Sequence, residues 1–347
     1  MAKLSRRDFI KMSAVGVSSL ALGQFLAACG QALSLAIPTT STPGSPVSPT
    51  DTPAAPTITF TEATAAPPTE TTIPISIPDL VVVQGGEPDS LVRQALAAMG
   101  GLERFVQKGA TVIIKPNICV AHPYQYAATT NPWVVGTLVK MCFEVGAGRV
   151  QVMDYPFGCT AEEGYTISGI KDQVETEGGE MVYMAPLFKF VKTPIPNGVD
   201  LKEIEVFEDV LKADVLINVP IAKDHSSTRL TLGMKNLMGV ILNRNTMHVN
   251  LGQRIADLTS LIKPRLTVVD AIRILVANGP SGGGDLNNVR KIDTIIVSPD
   301  IVAADSYATT LFGLHPTDIA YISAGAAMGL GHNVIQNLNI KKISASS

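Results

Sequence analysis

Charged residues are scarce in this sequence, and neither sign dominates. The 347 residues include 27 Lys and Arg against 30 Asp and Glu, so the formal net charge is -3 and only 16% of the chain is charged. A protein that binds along a nucleic-acid backbone needs a broad basic face. No cluster of Lys or Arg extends here beyond short pairs. We therefore expect no nucleic-acid partner, and any anion-binding site must be local.

Paired cysteines are also missing. The four cysteines are Cys29, Cys119, Cys142 and Cys159, and no two of them form a CxxC pair. A disulfide framework is therefore a poor interpretation, and Cys142, with apolar residues on both sides, is predicted to be a buried thiol. Cys119 and His122 have a spacing that metal sites use, but no second ligand pair follows. The sequence thus leaves both metal and cofactor unknown.

The N-terminal region lacks a stretch apolar enough for a stable membrane span. Residues 12–28 are short and weakly apolar, with Ser, Gly and Gln among them, which is less hydrophobic than a spanning helix requires. They follow the segment Ser5-Arg6-Arg7-Asp8-Phe9-Ile10-Lys11, which matches the twin-arginine export signature. We therefore predict a twin-arginine signal peptide over residues 1–29 and an exported protein.

The end of this signal, Leu26-Ala27-Ala28-Cys29, resembles the lipobox of bacterial lipoproteins, in which the cysteine is acylated. Acyl chains on Cys29 hold a protein stably at the membrane, because each buried CH₂ contributes roughly 0.8 kcal/mol. The alternative is a small-residue cleavage site with an incidental cysteine. We predict lipidation of Cys29, membrane lipid as a partner, and a location at the outer face of the cell membrane.

Residues 30–78 have almost no periodic apolar pattern. From about residue 37 onwards they are dominated by Pro, Thr, Ser and Ala, a composition that cannot bury a core and stays extended. We expect a disordered stalk over 30–78. One globular domain should follow it, over residues 79–347.

Short runs rich in β-branched residues alternate with helical segments in this domain. Such runs are typical of strands buried on both faces of a sheet. The pattern predicts an α/β fold, with a mixed, mostly parallel sheet flanked by helices in a single large domain. Asn131 before Pro132 predicts a helix start, with the end of that helix at Gly146 or Gly148. A further helix is predicted over residues 301–312. The strands are predicted at 80–83, 111–115, 149–154, 215–219, 266–270 and 294–298.

Polar residues follow the ends of these predicted strands, where open α/β sheets bind ligands. The first group is Lys115-Pro116-Asn117. A lysine that leaves a buried run is costly unless it meets an anion. The side chain of Lys115 therefore suits a carboxylate or phosphate ligand, although it could instead extend to the rim of the sheet.

The densest polar group lies between residues 215 and 239. His225 could serve as a general base or a metal ligand, because its ordinary pKa lies near neutral pH. Lysine and arginine side chains around it could hold an anion. A purely structural role for His225 is the alternative. The group contains Lys223, His225, Arg229, Lys235 and Asn236.

Two aspartates, Asp154 and Asp270, end predicted strands and would place two carboxylates along one sheet edge. They could bind a cation or a substrate hydroxyl, or could simply cap helices. Asp305, on the helix predicted over 301–312, has the same alternatives. We assign catalytic roles to His225, Lys223 and Asp270, and substrate binding to Lys115, Asn117, Lys235, Asn236 and Asp154.

An ordered series of motifs in this domain resembles the family described as domain of unknown function 362. The motifs are KPN at 115–117, the stretch from Asn218 to His225, LGMKNLMG, VVDAI, GPSGGG and VAADSYAT, and the resemblance covers residues 80–331. The resemblance fixes the domain but no reaction. Many members carry ferredoxin-like cysteine motifs for iron-sulfur clusters, which this sequence lacks. A distant similarity of the family to the lactate racemase group implies hydroxy-acid or other carboxylate chemistry, by analogy alone.

These observations favour an enzyme that acts on a small anionic substrate, either a carboxylate or a phosphate. Lysines would hold the anion, His225 would move a proton, and Asp154 or Asp270 would orient it. One alternative is a non-catalytic lipoprotein that captures a small anionic ligand. The other is a redox or iron-sulfur-associated protein, with a redox partner protein, because the twin-arginine route often exports cofactor-loaded proteins.

Overall fold

The structure, a computed structural model, describes residues 76–185 and 187–345. The predicted signal peptide, Cys29 and the predicted stalk up to residue 75 lie outside these residues. Within the described part, no helix is both long enough and apolar enough to cross a membrane.

The centre of the fold is a ten-stranded mixed sheet. In chain order, the strands are β1 (Leu80–Gln84), β2 (Thr111–Pro116), β3 (Arg149–Val152), β4 (Glu180–Met181), β5 (Phe190–Pro194), β6 (Glu203–Phe207), β7 (Val215–Val219), β8 (Ile221–His225), β9 (Arg229–Thr231), β10 (Leu266–Leu275), β11 (Val289–Ser298) and β12 (Ile340–Ser344). The sheet order is β12-β1-β11-β10-β7-β2-β3-β4, with β8 paired to β10 and β9 to β8, while β5 and β6 form a separate antiparallel pair. Most neighbours in the large sheet are parallel, which confirms the predicted mixed, mostly parallel sheet.

Helices cover both faces of this sheet. They are α1 (Pro88–Ala98), α2 (Pro132–Glu144), α3 (Ala161–Ile167), α4 (Ile170–Thr176), α5 (Glu208–Lys212), α6 (Gly233–Asn236), α7 (Leu251–Ile262), α8 (Ile301–Thr310) and α9 (Ala320–Ala327). Short 3-10 segments connect several of them, and two of these, Leu237–Val240 and Arg244–Val249, reach the site described below. The result is a three-layer α/β domain.

The six predicted strands are all present, because their residues are buried alternately against two hydrophobic cores. In β1, Leu80 and Val82 pack in one core, whereas Val81 and Val83 pack in the other. Helices α7, α8 and α9 contribute to the first core, and α1, α2 and α4 to the second. Side chains of successive strand residues point to opposite faces, so a strand covered on both faces reads as a continuous apolar run.

The two predicted helices are also present, with small differences at their ends. The Asn131 side chain accepts a hydrogen bond from Trp133 N at 3.0 Å and caps α2, as the sequence predicts. This helix ends at Glu144, just before the predicted glycines. The helix predicted over 301–312 ends at Thr310.

The polar segment after β7 folds as a β-hairpin. Residues 221–231 form a hairpin in which Lys223 pairs with Thr231 and His225 with Arg229. Strand residues two apart face the same side, so Lys223 and His225 share a face. Asp224 lies between them and its carboxylate accepts a hydrogen bond from Gly279 N instead. The hairpin therefore selects which polar side chains of this segment can meet.

Buried carboxylates fasten the connecting segments to the sheet and helices. Asp305 on α8 accepts hydrogen bonds from Gly233 N at 2.6 Å and Met234 N at 2.8 Å, the first residues of α6. Each oxygen satisfies a backbone N–H that has no partner within the short helix. Asp305 thus positions α6, which carries Lys235 and Asn236.

We expect the Asp305→Asn substitution to lower the free energy of unfolding by roughly 1–3 kcal/mol, because the amide nitrogen would leave one of these buried N–H groups without an acceptor. Urea denaturation at neutral pH measures this change. The matched control is Asp172→Asn, at an exposed position on α4, which should leave stability nearly unchanged. Equal stability of the two variants would contradict the capping role of Asp305.

Candidate functional site

A cavity of about 350 Å³ lies where β2, β3 and β7 end. The strand order β3-β2-β7 is parallel throughout, so these carboxyl ends meet at one edge of the sheet, where ligands bind in open α/β folds. Further lining residues are Cys119, Tyr155, Phe157, Thr231, Met238 and Arg244. The cavity brings together seven of the residues selected from the sequence: Lys115, Asn117, Asp154, Lys223, His225, Lys235 and Asn236.

Lys115 and Asp154 form a buried ion pair at the base of this cavity. Nζ of Lys115 lies 2.9 Å from Oδ1 of Asp154, and both side chains are almost fully buried. The same ammonium donates to Asn236 Oδ1 at 2.8 Å and to the Pro116 carbonyl at 3.0 Å. Burial lowers the pKa of Lys115 to about 8, against the opposing effect of Asp154. All three N–H groups of Lys115 have protein acceptors, so it offers a ligand its charge rather than a free donor.

Three asparagines form a closed network beside this pair. Asn236 Oδ1 accepts from Asn117 Nδ2 at 2.9 Å, and Asn236 Nδ2 donates to Asn218 Oδ1 at 2.9 Å. Asn218 in turn donates to the Gly233 carbonyl at 2.9 Å. Both the oxygen and the nitrogen of the Asn236 side-chain amide thus have partners within the protein, which fix the orientation of this side chain.

Gly239, the last residue of the LGMKNLMG motif, lies directly against the ion pair. A Cβ atom at this position would overlap both Asp154 Oδ1 and Lys115 Nζ. The Gly239 carbonyl also accepts a hydrogen bond from Tyr155 N at 2.9 Å. Only glycine allows this close approach of the backbone to the charged groups.

Lys223 projects from β8 into the cavity and is 1% exposed. Its ammonium donates to Asn117 Oδ1 at 3.0 Å, to the Ala128 carbonyl at 2.6 Å and to Cys119 Sγ at 3.0 Å. Among the described residues, no carboxylate lies within ion-pair distance of it. Lys223 is thus a buried cation that lacks a carboxylate partner.

Lys235, on α6, has even fewer partners. Its side chain is 9% exposed, and the one contact of its ammonium is Met238 Sδ at 3.8 Å. Within the part of the chain that the structure describes, no oxygen atom accepts a hydrogen bond from this group. Burial, and next the charge of Lys223, lower its pKa to about 8. The buried hydroxyl of Thr231, which also lines the cavity, likewise has no partner in the described residues.

Arg244 completes the cationic wall, and our sequence analysis did not select it. Its Nε donates to the Met238 carbonyl at 2.9 Å, and its guanidinium lies over the rings of Tyr155 and Phe157. Burial lowers the pKa of Arg244. The 3-10 segment Arg244–Val249 brings both Arg244 and His248 to the cavity. The spacing of these two residues, four apart and just after the motif, was the available signal.

The charges around the cavity are strongly unbalanced. Among its described lining residues, Lys115, Lys223, Lys235 and Arg244 are basic and Asp154 is acidic. A cleft lined by charges of one sign favours an ion of the opposite sign, here an anion. The site is therefore suited to a small anionic ligand.

His225 contributes a neutral imidazole to the same cavity. Its Nδ1 accepts a hydrogen bond from Ser227 N at 3.0 Å, which assigns the ring proton to Nε2. Burial, and next the nearby charges of Lys235 and Lys223, lower the pKa of His225 to about 3. Without an anion in the cavity, His225 is thus uncharged at neutral pH.

Asp270 does not join this site. The strand β10 continues to Leu275, so Asp270 lies in the middle of the strand rather than at its end. Its carboxylate accepts hydrogen bonds from Asn131 N at 2.7 Å and Ile272 N at 3.0 Å, and it is not among the lining residues. Arg229 is also elsewhere, because it is exposed and pairs with Asp318 at 3.4 Å. The Asp270 carboxylate thus binds backbone N–H groups of the residue before α2 and of its own strand, away from the cavity.

The cysteines of the described residues do not fit an iron-sulfur cluster, which needs several thiolates around one point. Cys142 is buried in the second hydrophobic core, whereas Cys119 lines the cavity. The Cys119 and His122 spacing does not form a metal site either, since the His122 ring packs against Tyr126. No group of three or more potential metal ligands occurs in residues 76–185 and 187–345.

We expect substitutions of the two buried lysines, Lys115 and Lys235, to have opposite effects on the free energy of unfolding. Lys115→Met should lower the free energy of unfolding by about 3–5 kcal/mol, because it leaves the Asp154 carboxylate buried without a cation. Lys235→Met should raise it by roughly 1–3 kcal/mol, because it replaces an unpaired buried cation with an apolar side chain of similar length.

Urea denaturation at pH 7 checks both changes, with Lys192→Met as the control at an exposed strand position. A loss of stability in Lys235→Met equal to that in Lys115→Met would mean that Lys235 has a structural partner. In that case it is not held free for a ligand.

Comparison with known proteins agrees with the motif pattern. A sequence profile of the family described as domain of unknown function (DUF362) matches residues 112–310, more than half of the chain. A thylakoid-associated protein of Synechocystis sp. is 25% identical over 257 residues, which are 69% of this chain and 74% of the relative.

Two solved structures show more distant likeness. The lactate racemase apoprotein from Thermoanaerobacterium thermosaccharolyticum matches 67% of this chain at 12% identity with a TM-score of 0.45, and the match covers 56% of the racemase chain. A protein from Thermotoga maritima matches 66% of this chain at 11% identity and a TM-score of 0.37, over 60% of its own chain. From the profile match, the chain belongs to the family described as domain of unknown function 362.

Proposed function

We propose that this protein is an enzyme that binds a small carboxylate or phosphate in the cavity and acts on it with His225. One observation carries the proposal: the ammonium of Lys235 is buried against the cavity without an oxygen acceptor from the described residues. Burying an unpaired charge is costly, and proteins keep such groups where a ligand supplies the partner. The surplus of cations around it defines that ligand as an anion.

The number of free N–H donors distinguishes the cavity residues that bind the anion from those that only form the cavity. Lys235 and Arg244 bind the anionic group directly, because Lys235 has no acceptor and Arg244 uses only part of its five N–H donors. Lys115 and Asn236 hold the base of the cavity, since their donors are already used. The charge of Lys115 still adds to the attraction.

His225 acts on the bound substrate through Nε2, the nitrogen that Ser227 leaves free. The neutral ring can donate a hydrogen bond from Nε2 to a carbonyl or phosphoryl oxygen of the substrate. A bound anion offsets the charges of Lys235 and Lys223, which lower the pKa of His225. Its pKa therefore rises on binding, and the ring can then accept and return a proton near neutral pH.

The first test is sulfate binding, because sulfate keeps its charge across the pH range of interest. Isothermal titration at pH 7 should show saturable binding to the wild-type protein. Lys235→Met should weaken it by at least about tenfold, the effect of losing one close, desolvated charge contact. Lys192→Met, which removes an exposed lysine, should bind as the wild type does. No binding by any of these proteins would overturn the proposal.

The same titration has a predicted pH dependence. The empty cavity holds Lys235 with a pKa of about 8, so above that pH the ammonium becomes a neutral amine and the anion loses its partner. The affinity for sulfate should fall by up to roughly tenfold per pH unit above 8 for one proton. Lys235→Arg keeps its charge and should flatten the profile, apart from the contribution of Lys115, which titrates near the same pH.

Measuring turnover distinguishes catalysis from binding of a ligand without reaction. Carboxylates and phosphates that shift the melting temperature should be incubated with the protein and their products followed by mass spectrometry. Turnover that is lost in His225→Ala while binding remains supports an enzyme. Binding without turnover of any ligand would instead support the non-catalytic ligand-binding alternative.

We further propose that the domain works outside the cytoplasm, attached to the membrane through acylated Cys29 and separated from it by the stalk. The export and lipobox motifs of residues 5–29 support this, and the Synechocystis relative is named for association with thylakoids. Cys29→Ser should move the protein from the membrane fraction to the soluble extracytoplasmic fraction. Replacement of Arg6 and Arg7 by Lys should retain it in the cytoplasm. Membrane association that survives Cys29→Ser would contradict the lipid anchor.

A further inference from the structure

Cys119 lies in the cavity beside Lys223, and the ammonium of that lysine donates a hydrogen bond to the sulfur. An ammonium has three N–H donors. Two of those on Lys223 go to the side-chain oxygen Oδ1 of Asn117 at 3.0 Å and to the backbone carbonyl of Ala128 at 2.6 Å. The third is directed at Cys119 Sγ, 3.0 Å away. The acceptor that completes the shell of this buried cation is therefore a thiol sulfur.

A buried ammonium needs a counter-charge, and Lys223 has no carboxylate within ion-pair distance among the residues that the structure describes. Of its three acceptors, Cys119 is the one that can become negative. A thiolate here receives a charge-assisted hydrogen bond and neutralises the lysine. Lys223 and Cys119 would therefore form a buried ion pair, as Lys115 and Asp154 do, but with a nucleophilic thiolate as the anion.

A second observation shows that this sulfur faces a place for a ligand. Lys235 also lines the cavity, its side chain is buried, and its ammonium donates to no oxygen atom of the described residues. Burial lowers the pKa values of Lys115, Lys235 and Arg244. A negative charge on Cys119 opposes this effect at all three groups. The cationic wall and the sulfur therefore share one electrostatic environment.

We propose that Cys119 is a nucleophilic thiolate, held by the Lys223 ammonium, that attacks small anions carrying an electrophilic carbon. The anionic group of the substrate lies on Lys235 and Arg244, which brings its carbon to the sulfur. This inference rests on the proposed anion-binding function. It assigns to the cavity covalent chemistry that the roles of His225 alone do not provide.

The step is balanced by the Cys119 and Lys223 pair. The thiol proton resides on the lysine amine, which gives thiolate and ammonium. The sulfur forms a new S–C bond with the electrophilic carbon, and the bond from that carbon to its leaving group breaks. The leaving group departs with the electron pair, and the ammonium keeps its proton beside the new thioether or thioester.

The full-length protein tests this with two alkylating agents that differ in charge, iodoacetate and iodoacetamide. In each case the S–C bond forms and iodide leaves. Peptide mass mapping gives the rates at Cys119 and at Cys159, a partly exposed free thiol that serves as the internal reference. The ratio of the iodoacetate rate to the iodoacetamide rate should be about tenfold higher at Cys119 than at Cys159, because Lys235 attracts the carboxylate. Sulfate should protect Cys119 selectively.

Substitutions at two lysines separate the parts of the proposal. Lys235→Met should bring the rate ratio at Cys119 down to that at Cys159 and leave its rate with iodoacetamide unchanged. Lys223→Met should slow both reagents at Cys119, whereas Lys223→Arg, which keeps the charge, should retain most of the rate. If Lys223→Met does not fold, Lys223→Gln, which removes the charge but keeps a polar side chain, takes its place and should slow both reagents at Cys119 as well.

Two further outcomes distinguish failure of this inference from failure of the proposed function. A Cys119 that resists both reagents until the protein is unfolded, in a protein that still binds sulfate through Lys235, overturns the nucleophile and leaves anion binding intact. A Cys119 that reacts rapidly and depends on Lys223, without preference for iodoacetate and without sulfate binding, supports the thiolate and overturns the anion site.

Discussion

The cavity depends on the ion pair between Lys115 and Asp154. Lys115 is the last residue but one of β2, Asp154 lies two residues after its parallel neighbour β3, and their 2.9 Å contact is almost fully buried. Neither group is tolerable there alone, because a buried charge without a partner costs several kcal/mol. Their pairing fixes the ends of β2 and β3 relative to each other. It also requires the glycine at position 239, so that the backbone can close over the pair.

Around this fixed pair, the protein holds further cations that it does not neutralise in the same way. Lys223 meets two carbonyl oxygens and a thiol, and Lys235 meets a thioether sulfur. The contrast with Lys115 separates a structural charge from charges held for other use. A fold that needed only stability would replace such groups with apolar side chains, so their retention is best explained by a ligand that is itself charged.

Part of this arrangement was predictable from the sequence, because buried strands have a recognisable pattern. Apolar runs such as 111–115 and 215–219 predict buried strands, and the polar residues that follow them predict the site that holds Lys115, Asp154 and Lys223. Asp270 fails the same argument, since β10 continues through the residues after it and buries the carboxylate in mid-strand. Arg244 was missed because it reaches the cavity through tertiary folding of a 3-10 segment, and its spacing from His248 does not by itself identify a site. The sequence also could not show that Lys115 is paired and Lys235 is not, because this depends on their partners in the fold and not on their neighbours along the chain.

The asparagine network has a consequence for how the cavity meets its ligand. Asn236 is fastened by hydrogen bonds to Asn117, Asn218 and Lys115, so the floor of the cavity is already in its final arrangement before a ligand arrives. Little conformational entropy is then lost there on binding. The opposite wall is formed by the connecting segment that carries Arg244, Asn245 and His248, which belongs to no strand of the sheet. Substitutions in that wall can therefore change which anion is admitted while the floor, and the fold beneath it, stay as they are.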